Sequence, residues 1–184
     1  MAFAVIRLRG VQNINPKTKD TLKYMRVNRV NHAVILPETP ITKGMLQVAK
    51  DFITWGEIDA KTLSAVIKAR GRVVGDKPLT DAHVAKNSPF KTIDDLAAAI
   101  VAGKFRYQDV KDIKPIFRLH PAFKGIEGVK RSVQAGGALG YRGPGINELL
   151  GRMLTSPMEK ITDAQNVVNT EVKAAKAAAK RGGA

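Results

Sequence analysis

The chain opens with "AFAVIRLRG", where apolar and polar positions alternate well enough for a strand. Phe3, Val5 and Leu8 are expected on its core side, with Arg7 and Arg9 outside. "VQNINPKTKD" reads as a loop, and Pro16 stands where a helix reaching Met25 or Val27 would begin, burying Leu22 and Met25. "NHAVILPET" predicts a second strand closed by Pro37 and Pro40. In "TPITKGMLQVAKDFI", Met45, Val48, Ala49 and Phe52 recur at helical spacing, and "ITWGEI" reads as a third strand. Strand–helix–strand–helix–strand over residues 1–58 predicts an α+β, ferredoxin-like core with two helices on one face of a small sheet.

The pattern then becomes more helical. Asp59 is placed to cap a helix across "AKTLSAVIKARG" that ends at Gly71. "RVVG" reads as a short strand and "TDAHVAKN" as a short helix. Thr92 with Asp95 three residues on opens another helix, which Gly103 stops. Residues 59–116 therefore form a mainly helical insert. "IFRLHP" predicts a last strand, which opens a basic glycine-rich extension over 117–156 packed on the core and closed by the short helix "INELLGRML". From Pro157 the chain turns alanine- and lysine-rich with little to bury, so 157–184 is expected to be a frayed helix or an unstructured tail.

Composition sharpens the picture in three ways. No apolar run reaches the roughly 18–20 residues that span a bilayer, and the first residues read as a strand rather than a signal peptide, so no membrane association is expected. There is no cysteine, which excludes disulfides, thiolate metal sites and cysteine nucleophiles and points to the cytoplasm. The three histidines, His32, His83 and His120, are far apart, so neither a metal nor any other cofactor is expected. The third fact is the charge: 31 Lys and Arg against 16 Asp and Glu give +15, which favours a polyanionic partner such as RNA or DNA. The excess sits in residues 1–50 and 118–152, while 51–117 is nearly balanced, so two basic segments are expected to share one face.

The most unusual stretch is "GVKRSVQAGGALGYRGPG", with six glycines and no acid. A nucleotide cradle would need G-x-x-x-x-G-K-[ST] or G-x-G-x-x-G between a strand and a helix; Gly103-Lys104 is followed by Phe105, and neither pattern is present. The alternative is a flexible basic ribbon that brings Lys130, Arg131, Tyr141 and Arg142 against a nucleic-acid backbone. Arg7, Arg9, Lys17, Lys19, Arg26, Arg29, His32 and Lys43 form a second cationic group, continued by Arg118, His120 and Lys124. Trp55 and Phe52 read as core rather than as stacking platforms. Asp94, Asp95, Glu57 and Asp59 are better explained by helix starts than by acid–base catalysis, and Ser132 lacks a nucleophile elbow. An enzyme with a small anionic substrate is thus the weaker reading, behind an RNA-binding protein.

"RLRG" at 7–10, "TLKYMRVNRVNHAVILPET" at 21–39 and "TKGMLQVAKDFITWGEI" at 42–58 resemble the large-subunit ribosomal proteins of the L-thirty type, called L-seven in eukaryotes. "FRLHPAFKGIEGVKRSVQAGGALGYRG" at 117–143 is similar to the extension of archaeal and eukaryotic members, and with the length it implies an archaeal form. The resemblance covers roughly residues 2–154 and rests on the order and spacing of these segments. It implies a ferredoxin-like core, no catalysis, a cytoplasmic place in the ribosome, and large-subunit ribosomal RNA as partner, near the 5S RNA, with neighbouring ribosomal proteins. The same features leave a non-ribosomal RNA chaperone as the alternative. The tail is longer than the family pattern, and the resemblance assigns nothing to it.

Overall fold

The computed structural model describes residues 1–154 apart from 11 and 13. Three strands, β1 (Ala2–Arg7), β2 (His32–Pro37) and β3 (Ile53–Glu57), are connected by α1 (Pro16–Tyr24) and α2 (Pro40–Ala49). β1 lies in the middle, antiparallel to both neighbours, with Phe3 opposite Leu36 on one side and Glu57 on the other. This is the α+β, ferredoxin-like core that the sequence pattern predicts. The tail expected over 157–184 lies outside the described residues.

Local chemistry explains where the helices begin. Asn15 Oδ1 accepts from the Lys17 amide at 3.1 Å, and Pro16 supplies a fixed φ at the first helical position of α1. Thr39 and Thr42 cap α2 reciprocally, Thr42 N donating to Thr39 Oγ1 at 3.2 Å and Thr39 N to Thr42 Oγ1 at 3.0 Å. The Thr42 hydroxyl also donates to the Pro37 carbonyl at 2.7 Å, which sets the rotation of α2. Thr42, Leu46 and Ala49 therefore face the sheet, and Val48, expected inside, is 51% exposed.

β1 is buried on both faces because helices cover both. Phe3 and Val5 join Leu22, Met25, Val27, Leu46 and Trp55 on the side of α1 and α2. Ala2, Ala4 and Ile6 join a second core with residues of α3 (Ala60–Arg70), α4 (Asp81–Asn87), α5 (Ile93–Val101) and α6 (Ile146–Leu154). Side chains alternate along a strand, so Arg7 falls on the same face as Phe3 and Val5. It is 1% exposed, which corrects its expected outward placement.

In the insert, α3 ends at Gly71 as expected, but Asp59 precedes it without a side-chain capping bond. α5 opens with the Thr92–Asp95 pair: Asp95 N donates to Thr92 Oγ1 at 3.1 Å, and Thr92 Oγ1 donates to Asp95 Oδ2 at 2.7 Å. Asp94 accepts from Ser64 and from Lys68, tying α5 to α3. β4 (Arg72–Val73) pairs with β5 (Ile113–Lys114), a strand with no signature in the sequence pattern.

The extension borders the sheet on both edges. β6 (Phe117–Arg118) lies antiparallel to β2, and β7 (Gly140–Tyr141) lies parallel to β3, giving the order β6-β2-β1-β3-β7. The sequence pattern predicts only loop where β7 stands. Among the described residues, no helix is long and apolar enough to cross a membrane.

Candidate nucleic-acid interface

The strand registers divide the cations between two ends of the sheet. Arg7 faces Ile53, Ile6 faces Ala33, His32 faces Arg118, and Thr54 faces Gly140. One end of the sheet thus carries the exit of β1, the starts of β2, β3 and β7, and the exit of β6. The connecting segments there hold Arg9, Arg29, Lys50, Lys130 and Arg131, with Asp51 and Glu127 as acids. At the opposite end, where Ala2 faces Pro37 and Phe3 faces Glu57, stand Glu38, Glu57 and Asp59.

Arg7 organises the cationic end from inside. Its Nη1 donates to the carbonyls of Val27 at 2.9 Å and Asn28 at 2.7 Å, and its Nε donates to the Arg9 carbonyl at 2.8 Å. A buried guanidinium persists when its donors are satisfied in this way, although burial still lowers its pKa. Three carbonyls from two connecting segments are thereby drawn to one point. Arg29 and His32 follow directly from that anchored loop, and Asn31 N donates to the Arg7 carbonyl at 2.8 Å.

His32 is half-buried, and its Nδ1 is enclosed without a hydrogen-bond partner. Burial, then the charges of Arg118, Arg29 and Arg7, hold it below its ordinary value of 6.5. Arg118 also lies 3.5 Å from Asp76, which takes a shorter 2.6 Å bond from Lys114. On the other side of the same end, Arg9 sits over the Phe52 ring at 5.1 Å and donates to the Asp51 carbonyl at 3.1 Å.

The glycine-rich segment is a tied loop rather than an open ribbon. Gly137 N donates to Ser132 O at 2.8 Å, Val133 N to Leu139 O at 2.9 Å and Leu139 N to Arg131 O at 3.1 Å. A Cβ on Gly137 would meet the Arg131 carbonyl oxygen at 2.2 Å, so glycine here permits two backbone segments to touch. The glycines shape the fold first, and Lys130 and Arg131 project from the result, both exposed.

Other predicted positions are placed differently. Lys17 and Lys19 are exposed on α1, Lys19 on the side of the helix nearer Arg7. Arg26 is exposed with a φ of 62° just after α1, and Lys124 is exposed with a φ of 66° in the loop that Arg152 holds through Phe123 O and Gly125 O. His120 is half-buried, its amide bonded to Met153 O at 3.1 Å. Lys43 is away from the cluster, paired with Glu38 at 2.8 Å. Arg142 is half-buried and reaches back to the Ala138 carbonyl at 3.4 Å, so it braces the loop instead of facing outward. Tyr141 is 53% exposed on β7, its hydroxyl donating to Glu57 Oε1 at 2.6 Å. Lys50 escaped the sequence reading. Its signal was the three-residue connection Lys50–Asp51–Phe52, which forces the end of α2 to the end of the sheet where β3 begins.

This geometry can engage a polyanion along one end of the sheet. The family described as "Ribosomal protein L30p/L7e" matches residues 3–53. The large ribosomal subunit protein uL30 of Methanobrevibacter smithii is 51% identical over 152 residues, 83% of this chain and 99% of the relative. This chain belongs to the uL30 family. The uL30 proteins of Methanoculleus marisnigri and Methanocella arvoryzae are 47% and 46% identical, each over 82% of this chain and 99% of their own length. These are archaeal proteins, as the length and extension implied. Family membership makes the chain a structural component rather than an enzyme.

Proposed function

We propose that this protein is a structural constituent of the large ribosomal subunit that binds ribosomal RNA through the cationic end of its sheet. The observation that carries the reading is the convergence of Arg9, Arg29, Lys50, Arg118, Lys130 and Arg131 on that end, from segments far apart in sequence. Phosphate contact fits them, because exposed Arg and Lys neutralise phosphates, and an A-form helix hides its base edges in a deep, narrow groove. Recognition is then mainly of RNA shape and backbone, and the protein holds neighbouring RNA helices in fixed relation. The similarity of residues 117–143 to the archaeal and eukaryotic extension supports a position beside the 5S RNA, among neighbouring ribosomal proteins in the cytoplasm.

Cross-linking in isolated large subunits tests this. Peptides spanning residues 8–10, 26–32 and 128–133 are expected to carry RNA adducts, some with 5S RNA, while α4 and α5 carry none. Adducts concentrated on α4 and α5 would reject the assigned face, and adducts only with 23S-type RNA would reject the 5S position.

A further inference from the structure

A groove of about 730 Å³ opens beside the cationic end, between the end of α2, β3 and the glycine-rich loop. Its composition differs from the rest of that end. Arg9, Lys50 and Lys130 line it, with Asp51 as its acid, alongside the rings of Phe52, Trp55 and Tyr141. Gln47 and Gln134 add side-chain amides. Simple phosphate contact asks only for exposed cations. It does not account for aromatic surface and amide groups gathered in a concavity of a size that holds a small molecule.

The Tyr141 ring is held in place. Its hydroxyl donates to Glu57 Oε1 at 2.6 Å, and its ring centroid stands 6.4 Å from that of Trp55. Its backbone is fixed in β7, opposite Trp55. A ring held at both ends, yet 53% exposed, has lost its own freedom before any partner arrives. The Glu57 carboxylate beneath the hydroxyl disfavours an anion there, and raises the pKa of the phenol. The cations belong to the end where β3 starts: Arg9 lies over Phe52, before Trp55 and its partner Tyr141 along the strand, and Lys50 and Lys130 also line the groove. The groove is therefore polarised, with a place for a neutral flat group near Tyr141 and a place for an anion near Arg9.

We infer that this groove receives one unpaired RNA nucleotide, its base against the Tyr141 ring and its phosphate at Arg9, Lys50 and Lys130. A nucleotide is the unit of RNA that joins a flat neutral face to an anion. Paired bases in an RNA helix do not present such a face, whereas a bulged or looped-out nucleotide does. Gln47 and Gln134 offer both donors and acceptors to the base edge, since each amide carries an acceptor oxygen and two N–H donors. This inference rests on the RNA-binding reading and adds an unpaired base to a contact that otherwise concerns backbone alone.

The test compares the full chain on three RNA probes at one salt concentration: a perfect duplex of about 20 base pairs, the same duplex with one bulged nucleotide, and the same bulge lacking its base. The bulged duplex is expected to bind about tenfold more tightly than the other two, within the range seen for single base–aromatic stacks. Tyr141→Leu is expected to remove that preference, so that the variant binds all three probes alike. Tyr141→Phe keeps the ring and is expected to keep the preference. Equal binding to all three probes, with a steep salt dependence, overturns the inference while leaving the phosphate-contact reading intact. Equal preference for the abasic bulge, or a preference that survives in Tyr141→Leu, also overturns it, because a flexible bend then explains the result. No binding to any probe overturns both readings.

Discussion

Arg7 donates from Nη1 to the Asn28 carbonyl at 2.7 Å, and this bond fastens the central strand to the loop that presents Arg29 and His32. A residue of the type that usually meets RNA here shapes the surface proposed to do so. Replacing it with methionine keeps a long apolar stem but leaves the Val27 and Asn28 carbonyls without their donor. Arg7→Met is expected to lower folding stability by about 1–3 kcal/mol, the order for leaving buried polar groups without their hydrogen-bond donor. The urea midpoint reads it. An unchanged midpoint would show that the loop is held by other contacts.

Exposed cations at the same end should behave in the opposite way. Arg29→Ala, Lys130→Ala and Arg131→Ala are expected to leave stability unchanged and to weaken RNA binding. A variant that removes one phosphate contact should reduce the slope of log K against log salt by about 0.7–0.9. Lys43→Ala, at the far end and paired with Glu38, is the matched control and should leave the slope unaltered. If Lys43→Ala shifts the slope as much as Lys130→Ala does, binding is spread over the whole surface and the assigned face is wrong.

What the sequence made legible was local. Pro16 after Asn15, the Thr92–Asp95 pair and Gly71 after α3 each act within a few residues, and each stands where the pattern places it. β1, β2 and β3 were legible because their apolar runs are long enough to carry a period. The failures involve partners distant in the chain. β7 is two residues long and exists because Thr54 and Trp55 lie alongside it, with Thr54 Oγ1 donating to Gly140 O at 3.1 Å across 86 positions. Arg7 shares the Phe3 and Val5 face by the two-residue period, so the expectation that set it outside and Leu8 inside broke that period, and Leu8 packs in the other core instead. The cationic end was legible as an excess of charge in two segments. Its geometry was not, because it depends on four registers that no segment encodes alone.

The glycine-rich loop allows a graded test of why its glycines are there. Gly137→Ala would press a methyl group on the Arg131 carbonyl, 2.2 Å away, and no flexible side chain can yield. A loss of about 1–3 kcal/mol is expected, as for other overpacked sites. Gly136→Ala meets no atom within 4 Å but keeps a φ of 72°, so its cost should be nearer the roughly 1–2 kcal/mol of a left-handed residue. Gly44→Ala, inside α2 with nothing within 4 Å, should instead stabilise by about 0.5–1 kcal/mol. Thermal denaturation of the three variants gives the order directly. A Gly137→Ala protein as stable as Gly44→Ala would mean that the loop opens without cost.

His32 supplies a titratable reporter within the same surface. Burial, then Arg118, Arg29 and Arg7, lower its pKa from 6.5 in the folded protein, so it is neutral near pH 7. A histidine depressed in this way binds its proton more readily in the unfolded chain. Stability is therefore unaffected by it above pH 6.5, falls as pH drops through 6.5, and stops falling below the folded-state pKa. His32→Gln should flatten that limb of the stability profile. A phosphate set among the same arginines would reverse the electrostatic contribution, because an anion favours the imidazolium. The His32 ring titration followed by NMR is expected to have its midpoint below 6.5 in the free protein and to move upward when RNA binds. A midpoint that stays in place on RNA binding would put the phosphates away from Arg29 and Arg118, and with them the proposed face.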